Sequence, residues 1–335
     1  MHMADTLVSV AVGTSMTVAS TATVGYSIKK IKALDLSDSK IPMMGVMGAF
    51  IFAAQMINFT IPGTGSSGHI GGGILLAALL GPYQALLTIT SVLLIQALFF
   101  ADGGLLALGC NVFNLGIIPC FVAYPFIYKL ILRKSITPKK LTLASIIATI
   151  VGLQLGAFAV VIETTISGIT ELPFTSFLVL MQPIHLAIGI IEGIITGAVL
   201  CFVFRMRKEL ITAGLVKVTH GGISIKQVLV IFALASLIIG GFLSYFASSK
   251  PDGLEWAIHG VMGEEEIANA SDAHSGAQQL QDRTSFLPDY SFKGEAEDNL
   301  LGTGVSGVVG GIVTLAVVIA AGMAINKYKR AKPKV

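Results

Sequence analysis

Residues 62–82 read PGTGSSGHIGGGILLAALLGP, an apolar stretch that begins among glycines and ends at a proline. A helix rises about 1.5 Å per residue, and a membrane span needs about 20 apolar residues. The apolar part, 69–81, is therefore short for an ordinary span. Irregular backbone at membrane depth is tolerated only inside protein or beside a cavity, and broken segments of this kind build binding sites in transporters.

The rest of the chain has the composition of a membrane protein. Hydrophobic residues make up 54% and charged residues 12% of the 335, against about 25% charged residues in a soluble domain. Eight further stretches are predicted to span: 7–28, 41–59, 83–101, 104–129, 141–163, 180–204, 227–247 and 304–326. Cys110, Cys120 and Cys201 lie inside these stretches and are predicted to pack as small apolar residues.

Clusters of basic residues predict the orientation of the spans. They follow the first span, the 104–129 span, the 180–204 span and the last span: Lys29, Lys30, Lys32; Lys129, Arg133, Lys134, Lys139, Lys140; Arg205, Arg207, Lys208, Lys217, Lys226; Lys327, Lys329, Arg330, Lys332, Lys334. The positive-inside rule places all four clusters in the cytoplasm. With the loop at 60–68 outside and the cluster at 129–140 in the cytoplasm, the chain between them crosses an odd number of times. The visible spans 83–101 and 104–129 make two crossings, so the segment 69–81 must cross as well. We predict an all-α integral membrane protein with nine crossings, the N-terminus outside and the C-terminus in the cytoplasm.

A polar segment at 248–303 separates the last two spans from the first seven. It holds 11 of the 19 acidic residues against three basic ones, and the predicted topology places it outside. We predict a seven-span unit at 1–222 and a two-span accessory unit at 223–335. The acidic loop could concentrate cations, could be merely solvated, or could pack on the first unit and control access of the N-terminal segment.

The N-terminus offers three nitrogen ligands. No basic residue precedes Lys29, so we interpret the start of the chain as mature rather than as a signal peptide. Because His2 is bulky, we expect Met1 to be retained with a free amine. The Met1 amine, the His2 amide nitrogen and the His2 imidazole Nδ1 can chelate one ion in a plane, which favours nickel(II) or copper(II). An idle surface histidine is the simpler interpretation of this pattern alone.

His69 can supply a fourth nitrogen, because it lies on the same predicted side of the membrane as residue 1. Taken alone, it would more often be a local hydrogen-bonding residue. Five polar residues lie within or at the ends of predicted spans: Asp102, Asn111, Asn114, His185 and Glu192. They either orient the metal ligands or join helices by hydrogen bonds. Asp102 equally fits a turn in Asp-Gly-Gly.

Missing motifs restrict the function. The sequence has no Gly-Lys dipeptide and hence no G-x-x-x-x-G-K-[ST] phosphate loop, so any ATP hydrolysis must come from another chain. Three classes of function remain: a metal-uptake component driven by partner ATPases, an autonomous cation channel or carrier, and an intramembrane enzyme using His185, Glu192 and Asp102. A channel or carrier would need charges along several spans, yet only Glu192 lies deep within one.

Four stretches in order resemble the substrate-binding membrane component of nickel and cobalt energy-coupling-factor transporters: MHMADTLVSVAVG, PGTGSSGHIGGG with LLGP, FADGGLLALGCNVFNLG and PIHLAIGIIEGIITG. The tail containing PDGLEWAI is similar to the small N-type accessory subunit, here fused to the M-type component. Together these stretches cover essentially the whole chain.

The resemblance implies a seven-span component with an additional N-terminal helix and a square-planar site of four nitrogens from Met1, His2 and His69. It implies nickel(II) as a transported substrate rather than a cofactor, with cobalt(II) as the alternative. Planar coordination and the PDGLE-type tail favour nickel. The implied partners are a transmembrane coupling protein (Q-type) and ATPase subunits (O-type) in the cytoplasmic membrane. Lipid surrounds the spans, and no nucleic-acid partner is expected.

Overall fold

The computed structural model describes residues 1–33, 40–212, 222–263, 271–294 and 300–330. Several predicted features lie outside these residues: Gly221 at the predicted unit boundary, Lys217, Lys332 and Lys334 of the basic clusters, and 264–270 and 295–299 of the acidic loop. The division into units 1–222 and 223–335 stays a prediction.

Helices cover most of the described residues. In the first part of the chain they are α1 (Val10–Ala33), α2 (Lys40–Gln55), α3 (Gly73–Leu80), α4 (Pro82–Phe100), α5 (Leu108–Val112), α6 (Lys129–Leu132), α7 (Pro138–Ser167) and α8 (Phe174–Met206). A π-helical stretch, Phe113–Tyr128, joins α5 to α6 without a break. They are followed by α9 (Glu209–Thr212), α10 (Ile225–Gly241), α11 (Gly253–Met262), α12 (Asp272–Thr284) and α13 (Leu300–Arg330). Two short strands, β1 (Phe59–Thr60) and β2 (Ser67–Gly68), pair antiparallel in the glycine-rich loop.

Five helical segments of the described residues are long and apolar enough to cross a membrane: Pro82–Phe100, Leu108–Leu132, Pro138–Ser167, Phe174–Met206 and Leu301–Lys327. Lys40–Gln55 and Ile225–Gly241 are apolar but shorter. The protein is thus a mostly helical, multi-pass membrane protein, as predicted. The count of nine crossings stays a prediction.

The segment before α3 is irregular because other helices satisfy its backbone. Gly72 has a left-handed φ of 78°, and a Cβ on it would lie 2.5 Å from Cδ1 of Ile51. Its amide donates to Glu192 Oε1 at 2.9 Å, and the amide side chain of Gln55 donates to the Gly71 carbonyl at 3.0 Å. Side chains from α8 and α2 thus replace the hydrogen bonds that a continuous helix would make within itself.

Small residues bring α7 and α8 close together. A Cβ on Gly193 would lie 2.6 Å from the Ile146 Cα, and one on Gly197 would lie 3.0 Å from the Thr142 Cα. Glycines four residues apart let two helices approach backbone to backbone, which is typical of helix pairs in membranes. The pair α7 and α8 forms the wall against which the irregular segment and α3 lie.

The C-terminal helices join the same bundle. Both α10 and α13 pack on α2, and they also pack on each other. The rings of Phe50 and Phe232 meet edge to face at 5.0 Å between centroids, which links α2 to α10. Of the described residues between α10 and α13, Pro251 contacts the glycine-rich loop, α11 packs on α8 and α12 packs on α4.

Candidate metal centre

The N-terminal residues are buried in the bundle. Met1 is 5% exposed and Met3 is fully buried. The Met3 amide donates to Asn111 Oδ1 at 2.7 Å, and Asn111 Nδ2 donates back to the Met3 carbonyl at 3.1 Å. The Gly104 amide also donates to that carbonyl, at 2.9 Å. Asn111 therefore fixes residue 3, which positions residues 1 and 2.

The Met1 amine forms an ion pair with Asp252. Asp252 caps α11: its Oδ1 accepts the amides of Leu254 at 2.7 Å and Glu255 at 3.0 Å. Burial acts to raise the pKa of Asp252, but the charge and hydrogen bond of the amine hold this pKa below its usual range. An ionised carboxylate from the C-terminal part of the chain thus holds the first residue of the chain.

His2 and His69 meet beside this ion pair. Their ring centroids lie 5.1 Å apart. His2 Nδ1 donates to Asp102 Oδ1 at 2.6 Å, and the Tyr290 hydroxyl donates to the other oxygen of Asp102. Burial acts to raise the pKa of Asp102, but the charge of His2 and the hydrogen bonds from His2 and Tyr290 lower it to about 2.

The hydrogen bonds of the two rings decide which nitrogens are available. His2 Nε2 is buried and has no hydrogen-bond partner. His69 Nδ1 donates to the Ile70 carbonyl at 3.1 Å. A neutral imidazole that donates through Nδ1 keeps its lone pair on Nε2. In this arrangement the lone pair lies on Nε2 in both rings, and His2 Nδ1 becomes available for coordination only when it leaves Asp102.

His185 lies against the same centre from α8. Its Nδ1 donates to the Met181 carbonyl at 2.8 Å, and its buried Nε2 has no partner. A cavity of about 10 Å³ lies between Met1, His69, His185 and Asp252. A space of this volume holds about one water-sized sphere.

Asn114 and Glu192 do not line this cavity. Asn114 Nδ2 donates to Glu163 Oε2 at 2.8 Å, and Glu192 accepts from the Gly72 amide. The sequence placed both in spans but left open whether they orient ligands. Glu192 joins elements of the bundle, Asp102 and Asn111 hydrogen-bond to residues 2 and 3, and Asn114 also reaches the Met3 sulfur at 3.7 Å.

The C-terminal part of the chain is seated on the glycine-rich loop. The Ser67 amide donates to the Pro251 carbonyl at 2.8 Å, and its hydroxyl donates to the Lys250 carbonyl at 2.7 Å. The indole of Trp256 donates to the Thr64 carbonyl at 2.9 Å. Residues 250–256 therefore contact the glycine-rich loop that carries His69.

Sequence reasoning missed Asp252, Tyr290 and Glu163. Asp252 precedes a Glu three residues later, a capping-box pattern that announces a helix start but no contact with residue 1. Glu163 ends a predicted span and could have been flagged as an intramembrane charge. Tyr290 carries no local signal, because its contact depends on how a distant segment folds back.

Among the described residues, no group of three or more His, Cys, Asp or Glu side chains could hold a metal ion. The predicted ligand set draws two of its four nitrogens from the backbone, so it includes only the two side chains His2 and His69. The ligand set of Met1, His2 and His69 stays a prediction.

Comparison with known proteins decides the family. Residues 2–210 match the cobalt uptake substrate-specific transmembrane region, CbiM, and residues 226–327 match the PDGLE domain. The chain belongs to the CbiM family. Over 98% of this chain and 99% of the relative, it is 33% identical to an Archaeoglobus fulgidus protein described as a fused nickel transport protein, NikMN.

Further matches agree with CbiM membership. A cobalt transport protein CbiM of Sorangium cellulosum is 30% identical over 51% of this chain and 76% of its own length. A crystal structure of a truncated transition metal transporter is 32% identical, has a TM-score of 0.54, and covers 61% of this chain and 99% of that one. The predicted resemblance is confirmed. As a CbiM-family protein, the chain is a membrane component for metal uptake and not an enzyme.

Proposed function

We propose that this protein captures nickel(II) outside the cytoplasmic membrane as the substrate-specific component of an energy-coupling-factor importer. The convergence of Met1, His2 and His69 is the observation that carries this proposal. The two rings lie 5.1 Å apart, and Met1 and His69 line one cavity. Met1 and His69 are 68 positions apart in the sequence, and they meet where Asn111 and Asp252 hold the N-terminus in place.

The proposed ligands are the Met1 amine, the His2 amide nitrogen, the His2 imidazole Nδ1 and the His69 imidazole. Two of these nitrogens have other partners in the structure, since the amine pairs with Asp252 and Nδ1 donates to Asp102. Coordination requires both nitrogens to exchange a carboxylate for the ion. Both carboxylates would remain beside the bound dication and offset its charge.

Nickel is favoured over cobalt by donor chemistry. Four nitrogens in a plane suit nickel(II), whereas cobalt(II) does not share this strong preference. The relative that matches along nearly the whole chain is described as a nickel transport protein, although shorter relatives are described as cobalt transport proteins. We keep cobalt(II) as the alternative substrate.

The proposed topology has seven spans in 1–222, two in 223–335, the N-terminus outside and the C-terminus in the cytoplasm. The family matches end at 210 and resume at 226, which supports a boundary near 222. Contacts of α3 with the short α9, just beyond the end of α8, support a crossing by the 69–81 segment. The proposed partners are a Q-type coupling protein and O-type ATPase subunits.

Metal analysis of the purified protein tests this proposal. With an untagged N-terminus, we expect one equivalent of nickel by elemental analysis and a diamagnetic, square-planar absorption spectrum. His2→Ala and His69→Ala should each lose it, whereas His259→Ala, on an exposed position of α11, should retain it. Full nickel content in both ligand variants, or preferential octahedral cobalt binding, would overturn the site.

Transport by the chain alone separates the importer from a channel or carrier. Vesicles containing only this protein should not accumulate nickel, because the importer needs ATP hydrolysis by its partners. Accumulation driven by an ion gradient in such vesicles would favour the autonomous carrier instead.

A further inference from the structure

A second cavity adjoins the candidate metal centre, and we name it the acidic vestibule. Its volume is about 620 Å³, and residues from both matched regions line it. The CbiM region contributes His2, His69 and Asp102, and the PDGLE domain contributes Asp252, Glu255, Asp289 and Tyr290. A dication with six waters of about 30 Å³ each needs roughly 180 Å³. The vestibule can therefore hold a fully hydrated ion, which the 10 Å³ cavity beside Met1 cannot.

The acidic residues that line the vestibule differ in exposure. Glu255 and Asp289 are exposed, whereas the side chains of Asp252, Asp102 and His2 are only 16%, 23% and 7% exposed. The described residues that line it include these four carboxylates and neither lysine nor arginine. A cleft lined by one sign of charge raises the local concentration of counter-ions.

An unpartnered nitrogen lies at the buried end. His2 lines the vestibule with a 7% exposed side chain, and its Nε2 has no hydrogen-bond partner. Buried imidazole nitrogens normally have a partner. The vestibule therefore brings the exposed carboxylates to the same space as the His2 ring, whose Nδ1 bonds to Asp102 and is a proposed ligand for a transition-metal ion.

Repulsion between two of these carboxylates, Asp252 and Glu255, also favours a cation in the vestibule. The negative charge of Asp252, together with burial, raises the pKa of Glu255. Carboxylates that face one space disfavour each other's ionisation, and a dication placed between them relieves this repulsion.

We propose that the acidic vestibule is a loading site, where Glu255 and Asp289 hold a hydrated divalent transition-metal cation before it passes to His2 and His69. This inference rests on the proposed function and assigns the PDGLE domain the capture step. Carboxylates bind an ion that retains its waters, and the nitrogens then displace those waters. The residues thus set the rate of loading rather than the final coordination.

The test compares nickel association rates of the purified full chain by stopped-flow absorbance at several salt concentrations. The variant is Glu255→Gln with Asp289→Asn. Gln retains an acceptor for the Asp252 amide, which Glu255 now accepts at 2.8 Å, and Asn tolerates the left-handed φ of 47° at position 289. We expect association about 10-fold slower at low salt and a weaker salt dependence. The saturated spectrum and the single equivalent should not change.

A matched control removes two charges elsewhere. Glu171→Gln with Asp272→Asn changes the net charge equally at two exposed positions that do not line the vestibule, so it should load at the wild-type rate. If the double vestibule variant does not fold, Asp289→Asn alone should slow loading by about 3-fold. Wild-type rates in the vestibule variants, or equal slowing in the control, would overturn the vestibule but leave the metal centre intact. A wild-type protein that binds no nickel would overturn both.

Discussion

The metal centre and a second polar cluster in the bundle are both buried, and they differ in donor type and in access. The second cluster consists of Asn114, Glu163 and Glu192. Its groups are joined to other elements by the 2.8 Å bond between Asn114 and Glu163 and the 2.9 Å bond from Gly72 to Glu192. Asn114 and Glu192 line a cavity of about 10 Å³.

The metal centre instead combines nitrogen donors with open space. His2 and His69 both line a cavity of about 620 Å³. Buried carboxylates and amides that hydrogen-bond across elements hold helices together. Imidazole nitrogens beside an accessible cavity can instead exchange a hydrogen-bond partner for a metal ion. Donor type and access therefore distinguish the two regions, although both consist of buried polar residues of the kind that marks function in a membrane.

The largest effect should come from one residue added before Met1. The added peptide bond removes the amine that forms the ion pair with Asp252 and that we propose as a ligand. Nickel binding, measured by elemental analysis after desalting, should be abolished. The same residue added at the C-terminus is the control and should have no effect. Full nickel content in the N-terminally extended protein would show that the amine is not a ligand.

Asp102→Asn should weaken nickel binding about 10- to 100-fold, as is typical when a group that orients a metal ligand is changed. Asn removes the charge that faces His2 and accepts from Tyr290. Competition with a chelator of known affinity measures the change. Tyr290→Phe removes only the hydroxyl and should have a smaller effect. Unchanged affinity in Asp102→Asn would mean that the aspartate has only its turn role.

Glu192→Ala should reduce stability and change nickel affinity little. It leaves the buried Gly72 amide without an acceptor, which costs about 1–3 kcal/mol. Thermal unfolding in detergent measures this loss, and Glu192→Gln should restore most of it because an acceptor remains. Lost nickel binding at an unchanged Tm would place Glu192 with the metal centre and erase the distinction between the two regions.

The smallest effect is expected from Thr149→Val. The Thr149 hydroxyl is buried without a partner beside Asn114 and Glu192. Removing an unsatisfied hydroxyl at nearly constant volume should change stability by less than about 1 kcal/mol. The same thermal unfolding assay measures this change in stability. A larger loss would mean that a water or ion occupies the small cavity and bonds to all three residues.

Much of the fold could be predicted from the sequence because apolar length is a strong signal. The short third segment was found from its glycines and from charge parity, and α3 has only eight residues. Helix ends were less predictable: α8 begins at Phe174 rather than near 180, because a helix continues beyond its apolar part. The π-helical stretch Phe113–Tyr128 was not predicted, although Pro119 and Pro125 inside it are a recognisable cause of irregular helix.

The candidate site could be predicted only in part. Topology alone placed His2 and His69 on one side of the membrane. Packing of 248–303 on the first unit was one of three alternatives, because its acidic composition fits a solvated or cation-concentrating loop equally well. In the structure its described residues include α11 and α12, and Asp252 and Tyr290 reach the centre. Contacts across about 250 residues of chain depend on tertiary packing and leave no local pattern.

The ion pair between Met1 and Asp252 has a consequence for assembly, because its two partners lie 251 positions apart in one polypeptide. Two separate subunits would have to associate before this contact could form, and dilution in the membrane would break it. Within one chain the contact forms intramolecularly, at an effective concentration on the order of millimolar for a short flexible connection. Fusion therefore fixes the ratio of the two parts at one to one and keeps Asp252 beside the first residue at any expression level.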